Sequence, residues 1–225
     1  MRRRATLGVE GDAAPGKIVL ACLIWAGIHS LLASKRAKDL FARAAGARSR
    51  DGLYRVAYNA QSVATVALVA GWFARLPDRE LYRARAPWSS LFRAGQAVSL
   101  GVLFSAVGVI GVLEFAGLAP LWRALTGGGS RPEPEAQGPP IGPDGEIDAS
   151  GTFRFSRHPS NLGAMVFFLL WPRMTVNRAT LAALVALYVV LGSAHEEQRL
   201  RAAYGEAFER YRRKVPFLIP RPPLK

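Results

Sequence analysis

Apolar residues in this chain collect in five blocks, Ile18–Ala33, Val56–Phe73, Ala97–Leu121, Leu162–Met174 and Ala179–Ala194, with Arg-rich stretches between them. A membrane span needs about 20 predominantly apolar residues, roughly 17–25. The second and third blocks meet that length. The first is slightly short, but Lys17 extends it by keeping its head in water above an apolar stem. The last two blocks are short alone and are separated by Thr175-Val176-Asn177-Arg178, which reads as the turn of a helical hairpin. The pattern predicts an all-α polytopic membrane protein of about five transmembrane helices. The last two form the short hairpin, and a cytosolic C-terminal helix follows.

The local signals fill in the C-terminal third. Pro159 suits the first turn of a helix, with Ser160 and Asn161 placed to help cap it. The final long helix should run past Glu197 to Tyr204 and stop at Gly205. Glu206–Lys214 reads as a short amphipathic helix with Phe208 and Tyr211 on one side, ended by Val215-Pro216 ahead of an extended Pro-rich tail. Residues 126–150, rich in Gly and Pro and carrying five acidic side chains, read as a flexible cytosolic loop, because such a composition buries too little surface to offset its ordering entropy. Residues 1–225 thus form one integral-membrane domain. It comprises a three-span half (1–125), the loop (126–150) and a C-terminal half (151–225).

Charge changes the picture only in orientation. The net charge of +14 would suit a nucleic-acid partner, but the Arg residues flank apolar spans rather than forming a patch on a recognisable module. Anionic lipid is the fitting counter-charge. With the N-terminus outside and the C-terminus cytoplasmic, 19 of the 30 Lys and Arg residues fall inside. Trp25 and His29 within the first apolar run argue against a cleaved secretory signal. Cys22 is the lone cysteine and supports neither a disulfide nor a cysteine-rich metal site.

In that orientation every apolar element delivers hydrogen-bonding groups to the inner layer. His29 and Ser30 end the first block, Asn59 and Gln61 open the second, and Glu114 lies late in the third. His158 and Asn161 stand at the inner mouth of the hairpin, with Glu196 and Glu197 at its exit. Ionisable groups at membrane depth are costly and mark functional sites, and the convergence points to an inward-facing site. Plainer readings stand beside it. His29 also suits an interfacial side chain, Glu114 an ion pair, and Asn59 and Gln61 helix bridging. Glu197 also suits an i,i+4 pair with Arg201, and Arg157 a simple inside-facing cation. No metal is expected, since the three histidines lie far apart without ligand spacing. No phosphate-binding loop and no nucleophile elbow occur. The remaining set of Arg, His, Asn, Tyr and paired Glu suits a zwitterionic, hydroxyl-bearing cofactor.

The order Gly-x-Phe-Arg-Phe-x-Arg-His-Pro-x-Asn-x-Gly (Gly151–Gly163), an apolar hairpin, Glu196-Glu197-x-x-Leu200, then Tyr204-Gly205-x-x-Phe208-x-x-Tyr211 and Pro216 resembles the isoprenylcysteine carboxyl methyltransferase family. That superfamily of integral-membrane methyltransferases includes phospholipid and thiol S-methyltransferases. The resemblance covers roughly the last third of the chain. The first half, with His29-Ser30-Leu31-Leu32-Ala33-Ser34 and Tyr54-Arg55-Val56-Ala57-Tyr58-Asn59, is more similar to bacterial NnrU-like branches, which implies a bacterial inner membrane.

The resemblance implies S-adenosylmethionine bound on the cytosolic side, with a small or lipophilic methyl acceptor (thiol, carboxylate or lipid) entering from the bilayer. It places His158, Pro159, Asn161, Gly163, Glu196, Glu197, Tyr204 and Tyr211 at the cofactor. Arg157 and Glu196 become catalytic, Arg157 holding an ionised acceptor and Glu196 acting as base for a neutral one. His29, Asn59 and Glu114 would line the acceptor pocket. Asn161 departs from the family pattern, in which many relatives have Tyr at that place. Two alternatives remain: a non-catalytic NnrU-like membrane protein with an interaction or regulatory role, and a sterol-type membrane reductase.

Overall fold

The computed structural model describes residues 3–127 and 138–220, with side chains from residue 14 onward. Helices dominate. In chain order they are α1 (Arg3–Ala33), α2 (Lys35–Ala45), α3 (Ala47–Phe73), α4 (Trp88–Ile110), α5 (Val112–Ala116), α6 (Leu118–Thr126), α7 (Pro159–Leu169), α8 (Val176–Tyr204) and α9 (Glu206–Lys214). Two short strands, β1 (Glu80–Arg83) and β2 (Arg173–Thr175), pair antiparallel with Glu80 opposite Thr175.

Among the described residues three segments are long and apolar enough to cross a bilayer: Ala14–Ala33, Trp88–Ile110 and Val176–Tyr204. The protein is an all-helical membrane protein, and three of the five expected spans coincide with these segments. Helix α3 falls outside the set because Tyr58, Asn59, Gln61 and Ser62 interrupt its apolar run. Helix α7 has 11 residues, about 16 Å at 1.5 Å per residue, roughly half of a 30 Å hydrocarbon layer. The last helix is longer than its apolar block, since α8 adds Val176–Arg178 before it and the polar stretch His195–Tyr204 after it. Leu20, Leu23, Val98, Phe104, Leu187 and Leu191 are all more than half exposed on these three helices, a surface that lipid solvates and water does not.

The chain divides into two compact units: Met1–Arg83, Ala116–Glu133 and Arg173–Leu184 make the first, and Ala84–Phe115, Pro134–Pro172 and Val185–Lys225 the second. In the first unit, polar bonds join α1 to α3. Trp25 Nε1 donates to Thr65 Oγ1 at 3.1 Å, and the Tyr54 hydroxyl donates to the Leu32 carbonyl at 2.6 Å, satisfying an orphan acceptor in the last turn of α1. Gly117 starts α6 at φ +83°, and a Cβ there would meet the Val56 backbone nitrogen at 2.7 Å, so only glycine fits this turn against α3. The expected turn at Thr175–Arg178 is instead the end of β2 and the start of α8. Asp78 Oδ1 accepts the Asn177 N–H at 3.1 Å and Asn177 Nδ2 donates to the Pro77 carbonyl at 3.0 Å, which together tie the first turn of α8 in place.

In the second unit α4 and α7 cross closely. Gly163 of α7 lies against the Ser99 carbonyl and Leu103 of α4, and Gln96 Nε2 reaches the Phe167 carbonyl at 3.2 Å. The C-terminal part packs Ile147, Leu200, Ala207, Phe208, Tyr211 and Val215 into one buried cluster. Ile147 belongs to the segment expected to be a flexible loop. Residues 128–137 of that loop lie outside the described residues, whereas 140–148 form a small turn closed by an Ile141–Ile147 bridge and a 2.8 Å bond from the Asp148 N–H to the Pro140 carbonyl. A single buried Ile supplies the surface that the composition as a whole lacks. As expected, Pro159 opens α7, Gly205 (φ +52°) separates α8 from α9, and Val215 ends α9. The Pro-rich tail from Arg221 lies outside the described residues.

Candidate functional site

The second unit gathers the Arg157-His158 pair and the Glu196-Glu197 pair into one cluster. Residues 151–154 form a 3-10 turn that leads into Ser156, and the His158 N–H donates to the buried Ser156 hydroxyl at 3.2 Å. This holds His158 as the residue preceding α7, with Pro159 in the first helical position, where its missing N–H costs nothing. Glu196 and Glu197 lie where α8 leaves its apolar stretch, and they reach back to His158.

His158 is buried between the two acids. Its Nδ1 lies 3.4 Å from Glu196 Oε2 and its Nε2 lies 3.4 Å from Glu197 Oε1. Phe217 closes the other side, edge-on at 5.2 Å between ring centroids. Burial pulls the His158 pKa down, but the two carboxylates together outweigh it and raise it above the ordinary 6.5. Because the folded value is raised, the stabilisation from protonated His158 is complete below pH 6.5 and is lost as pH rises through the folded pKa. The thermal midpoint of wild type over His158→Asn should therefore be widest near pH 5.5–6 and narrow on the alkaline side. A gap constant from pH 5.5 to 9 would refute the charged bridge.

Arg157 is engaged within the protein. Its Nε donates to Glu197 Oε1 at 2.6 Å, and Nη1 donates to the Val215 carbonyl and, at 3.2 Å, to the Arg212 carbonyl. It thereby satisfies acceptors at the C-terminal end of α9, where a cation is favoured. Its backbone N–H also bonds the Pro216 carbonyl at 3.0 Å. In this geometry Arg157 orients Glu197 and anchors the C-terminal helix. Every Glu197 contact above falls on Oε1, and the Glu196 contact on Oε2. The Glu196 side chain retains 21% of its exposure, against 10% for Glu197.

The other expected cofactor residues divide. Asn161 Nδ2 donates to the buried Ser193 hydroxyl at 2.8 Å, tying α7 to α8 instead of capping α7. Gly163 provides a close helix crossing. The Tyr211 hydroxyl donates to the Phe153 carbonyl at 2.7 Å, and burial raises its pKa well above the ordinary tyrosine range, so it is a neutral donor. Tyr211→Phe leaves that carbonyl buried without its donor and should cost about 1–3 kcal/mol, read from thermal unfolding in detergent. Tyr204 packs against the Ile147–Leu200–Phe208 cluster.

Of the expected acceptor residues, His29 and Asn59 belong to the first unit and Glu114, in α5, to the second. His29 stacks on Trp25 at 4.7 Å and bonds the Tyr58 hydroxyl through Nε2 at 2.6 Å and the Ser62 hydroxyl through Nδ1 at 3.2 Å. Sequence reasoning missed Arg199. Its Nε is buried and lacks a hydrogen-bond partner among the described residues, and it lies one helical turn beyond Glu196. The i,i+3 spacing was the available signal. No group of three or more His, Cys, Asp or Glu side chains suited to a metal occurs among the described residues.

Over part of its length the chain is similar to proteins named methanethiol S-methyltransferase. It is 38% identical over 68 residues to that of Crocosphaera subtropica, and 37% identical over 68 residues to methanethiol S-methyltransferase 1 of Bradyrhizobium diazoefficiens. It is 37% identical over 70 residues to that of Mycobacterium tuberculosis. These stretches make up 30%, 30% and 31% of this chain but only 27%, 24% and 29% of the relatives, so the chain matches about a quarter of their length. No protein-family profile and no solved structure matches the chain. The similarity supports the resemblance to isoprenylcysteine carboxyl methyltransferase-like membrane methyltransferases over a stretch comparable in length to Gly151–Lys225.

Proposed function

We propose that the protein is a membrane methyltransferase that uses S-adenosylmethionine and methylates a small or lipophilic acceptor: a thiol, a carboxylate or a lipid. The observation that carries this reading is the buried His158 held between two adjacent acids. A protein that only needed an anchored C-terminal helix would have no use for a second acid beside Glu197. The donor chemistry fits the cofactor. Glu196 Oε1 and Glu197 Oε2 suit its ammonium and ribose hydroxyls, and the orphaned Arg199 Nε suits its carboxylate. The cofactor, when bound, supplies an electrophilic methyl group on a sulfonium.

The chain's own residues bind, orient and exclude water. Arg157 fixes Glu197, and His158 fixes the angle between the two acids. The apolar flanks of α7 and α8 keep the reacting partners dry, where orientation alone is worth much of the barrier. A thiol or carboxylate acceptor reacts as its anion and needs no base, whereas for a neutral acceptor Glu196 takes the proton. The membrane orientation is N-outside and C-inside, and the remaining spans are α3 and α7.

The test is calorimetric titration of S-adenosylmethionine into detergent-purified protein. Saturable binding by wild type is expected. Glu196→Gln and Arg199→Ala should each weaken it roughly 10–100-fold, the loss of one charged hydrogen bond. Absence of binding by folded wild type overturns the reading. It would favour the non-catalytic alternative, for which the engagement of Arg157, Asn161 and Tyr211 in internal bonds already speaks.

A further inference from the structure

Helix α2 has no part in the proposed chemistry, yet it builds a distinct site in the first unit. It begins immediately after the first span. Ser34 breaks α1 and caps α2, its hydroxyl accepting the Ala37 N–H at 3.2 Å. Ala37, Leu40, Phe41 and Ala44 recur at i, i+3, i+4 and i+7 and form a single apolar stripe. Arg36 and Arg43, seven residues apart, share one flank of it, and both are exposed. None of the residues of α2 is buried.

The stripe does not close onto its neighbours. Between α2, the end of α1 and the start of α3 lies an open hollow of about 510 Å³ with an almost wholly apolar wall, within the range of roughly 300–1,000 Å³ usual for ligand sites. Leu31, Leu32, Leu40, Phe41 and Tyr54 make that wall, and Arg36 is the one charged residue lining it. The wall is held from within. Phe41 packs edge-on against Tyr54 at 5.3 Å, and the Tyr54 hydroxyl is fixed on the Leu32 carbonyl. Leu31 and Leu40 are nonetheless each 66% exposed, so the groove presents exposed apolar surface beside Arg36.

Charge selects the occupant. Residues 35–55 hold seven Lys and Arg against Asp39 and Asp51, and Asp51 is already bonded by Arg50 at 2.7 Å. An apolar slot at the end of a span, beneath a basic rim, matches a molecule with an acyl chain and a negative head. We propose that this hollow is a binding site for one anionic membrane phospholipid. Its acyl chain lies along Leu31, Leu40, Phe41 and Tyr54, and its phosphate rests on Arg36, with Arg43 adding charge from the same flank. The site is separate from the methyl-transfer reading and stands or falls independently of it.

The test uses the full chain in detergent and a phosphatidylglycerol carrying a fluorescent acyl chain, displaced by unlabelled lipids. Phosphatidylglycerol should displace the probe roughly 10-fold better than phosphatidylcholine, and glycerol phosphate, which has the head but no chain, should not displace it. In the Arg36→Ala/Arg43→Ala protein the preference for phosphatidylglycerol should fall towards one. Ala44→Trp, which fills the slot, should weaken both lipids alike. Equal affinity for the two lipids in wild type overturns the proposal, as does a preference unchanged in the double variant. Should the variants fail to fold, a photoreactive acyl chain on phosphatidylglycerol decides on wild type. Labelling within residues 31–54 upholds the site, and labelling elsewhere overturns it.

Discussion

Glu197→Ala should be the most damaging single change in the C-terminal half, costing about 3–5 kcal/mol, the range for breaking a buried ion pair from one side. Glu197 and Arg157 retain only 10% and 9% of their side-chain exposure. Removing the acid leaves a guanidinium buried without its counter-charge and deprives His158 of one of its two carboxylates. The thermal midpoint in detergent should fall by roughly 6 °C or more for a chain of this size. Arg157→Met/Glu197→Leu should be much less harmful than Glu197→Ala, because an apolar pair of similar volume removes both charges together. If the double variant is as unstable as the single, the loss comes from the α9 carbonyls that Arg157 satisfies rather than from the unpaired charge. If Glu197→Ala is neutral, the pair is not buried as described. Glu196→Gln is the control. Its carboxylate is more exposed than that of Glu197, so stability should change little.

Which features the chain betrays in advance follows from how local their causes are. Pro159 at the head of α7, Gly205 after α8 and the Phe208/Tyr211 face of α9 are set by residues within a turn of the feature, and the structure has each of them. The span count depends on the hydropathy of whole windows, which Asn59 and Gln61 lower in α3. The β1–β2 pairing joins residues 90 to 95 apart in sequence, and its strands are four and three residues long. No local pattern marks such strands. The same holds for Asp78 beneath α8, whose partner Asn177 reads as a turn residue until the strand is placed.

For the site, the motif combines residues that cluster with residues that hold the scaffold. His158, Glu196 and Glu197 do meet. Arg157, Asn161, Gly163 and Tyr211 lie on the same motif, yet each holds the scaffold through a contact that spacing cannot show: two helix-end carbonyls, a serine on α8, the backbone of α4 and the carbonyl of Phe153. A motif records which residues must be present, and helix anchoring demands fixed identities as strictly as ligand binding does. Arg199 shows the converse. Its orphaned donor is visible only once burial is known.

Gly163 separates those two kinds of work most sharply. A Cβ at this position would lie 2.5 Å from the Ser99 carbonyl oxygen, 3.1 Å from the Leu103 nitrogen and 3.2 Å from the Leu103 Cβ. Two of those atoms are backbone, so no side-chain rearrangement relieves them. The crossing uses small residues on both sides, because Gly95 of α4 lies likewise against Leu170, and Ser99 keeps its hydroxyl on the Gly95 carbonyl at 2.7 Å. Close backbone approach of this kind is what small residues provide between membrane helices. Gly163→Ala should therefore cost about 1–3 kcal/mol by forcing α7 from α4, and Gly163→Val more, both read from thermal unfolding in detergent. Leu103→Ala should recover only part of the loss, since the carbonyl of Ser99 remains. If instead Gly163→Ala leaves the midpoint unchanged and only weakens S-adenosylmethionine binding, the glycine faces the cofactor and the crossing is not the constraint.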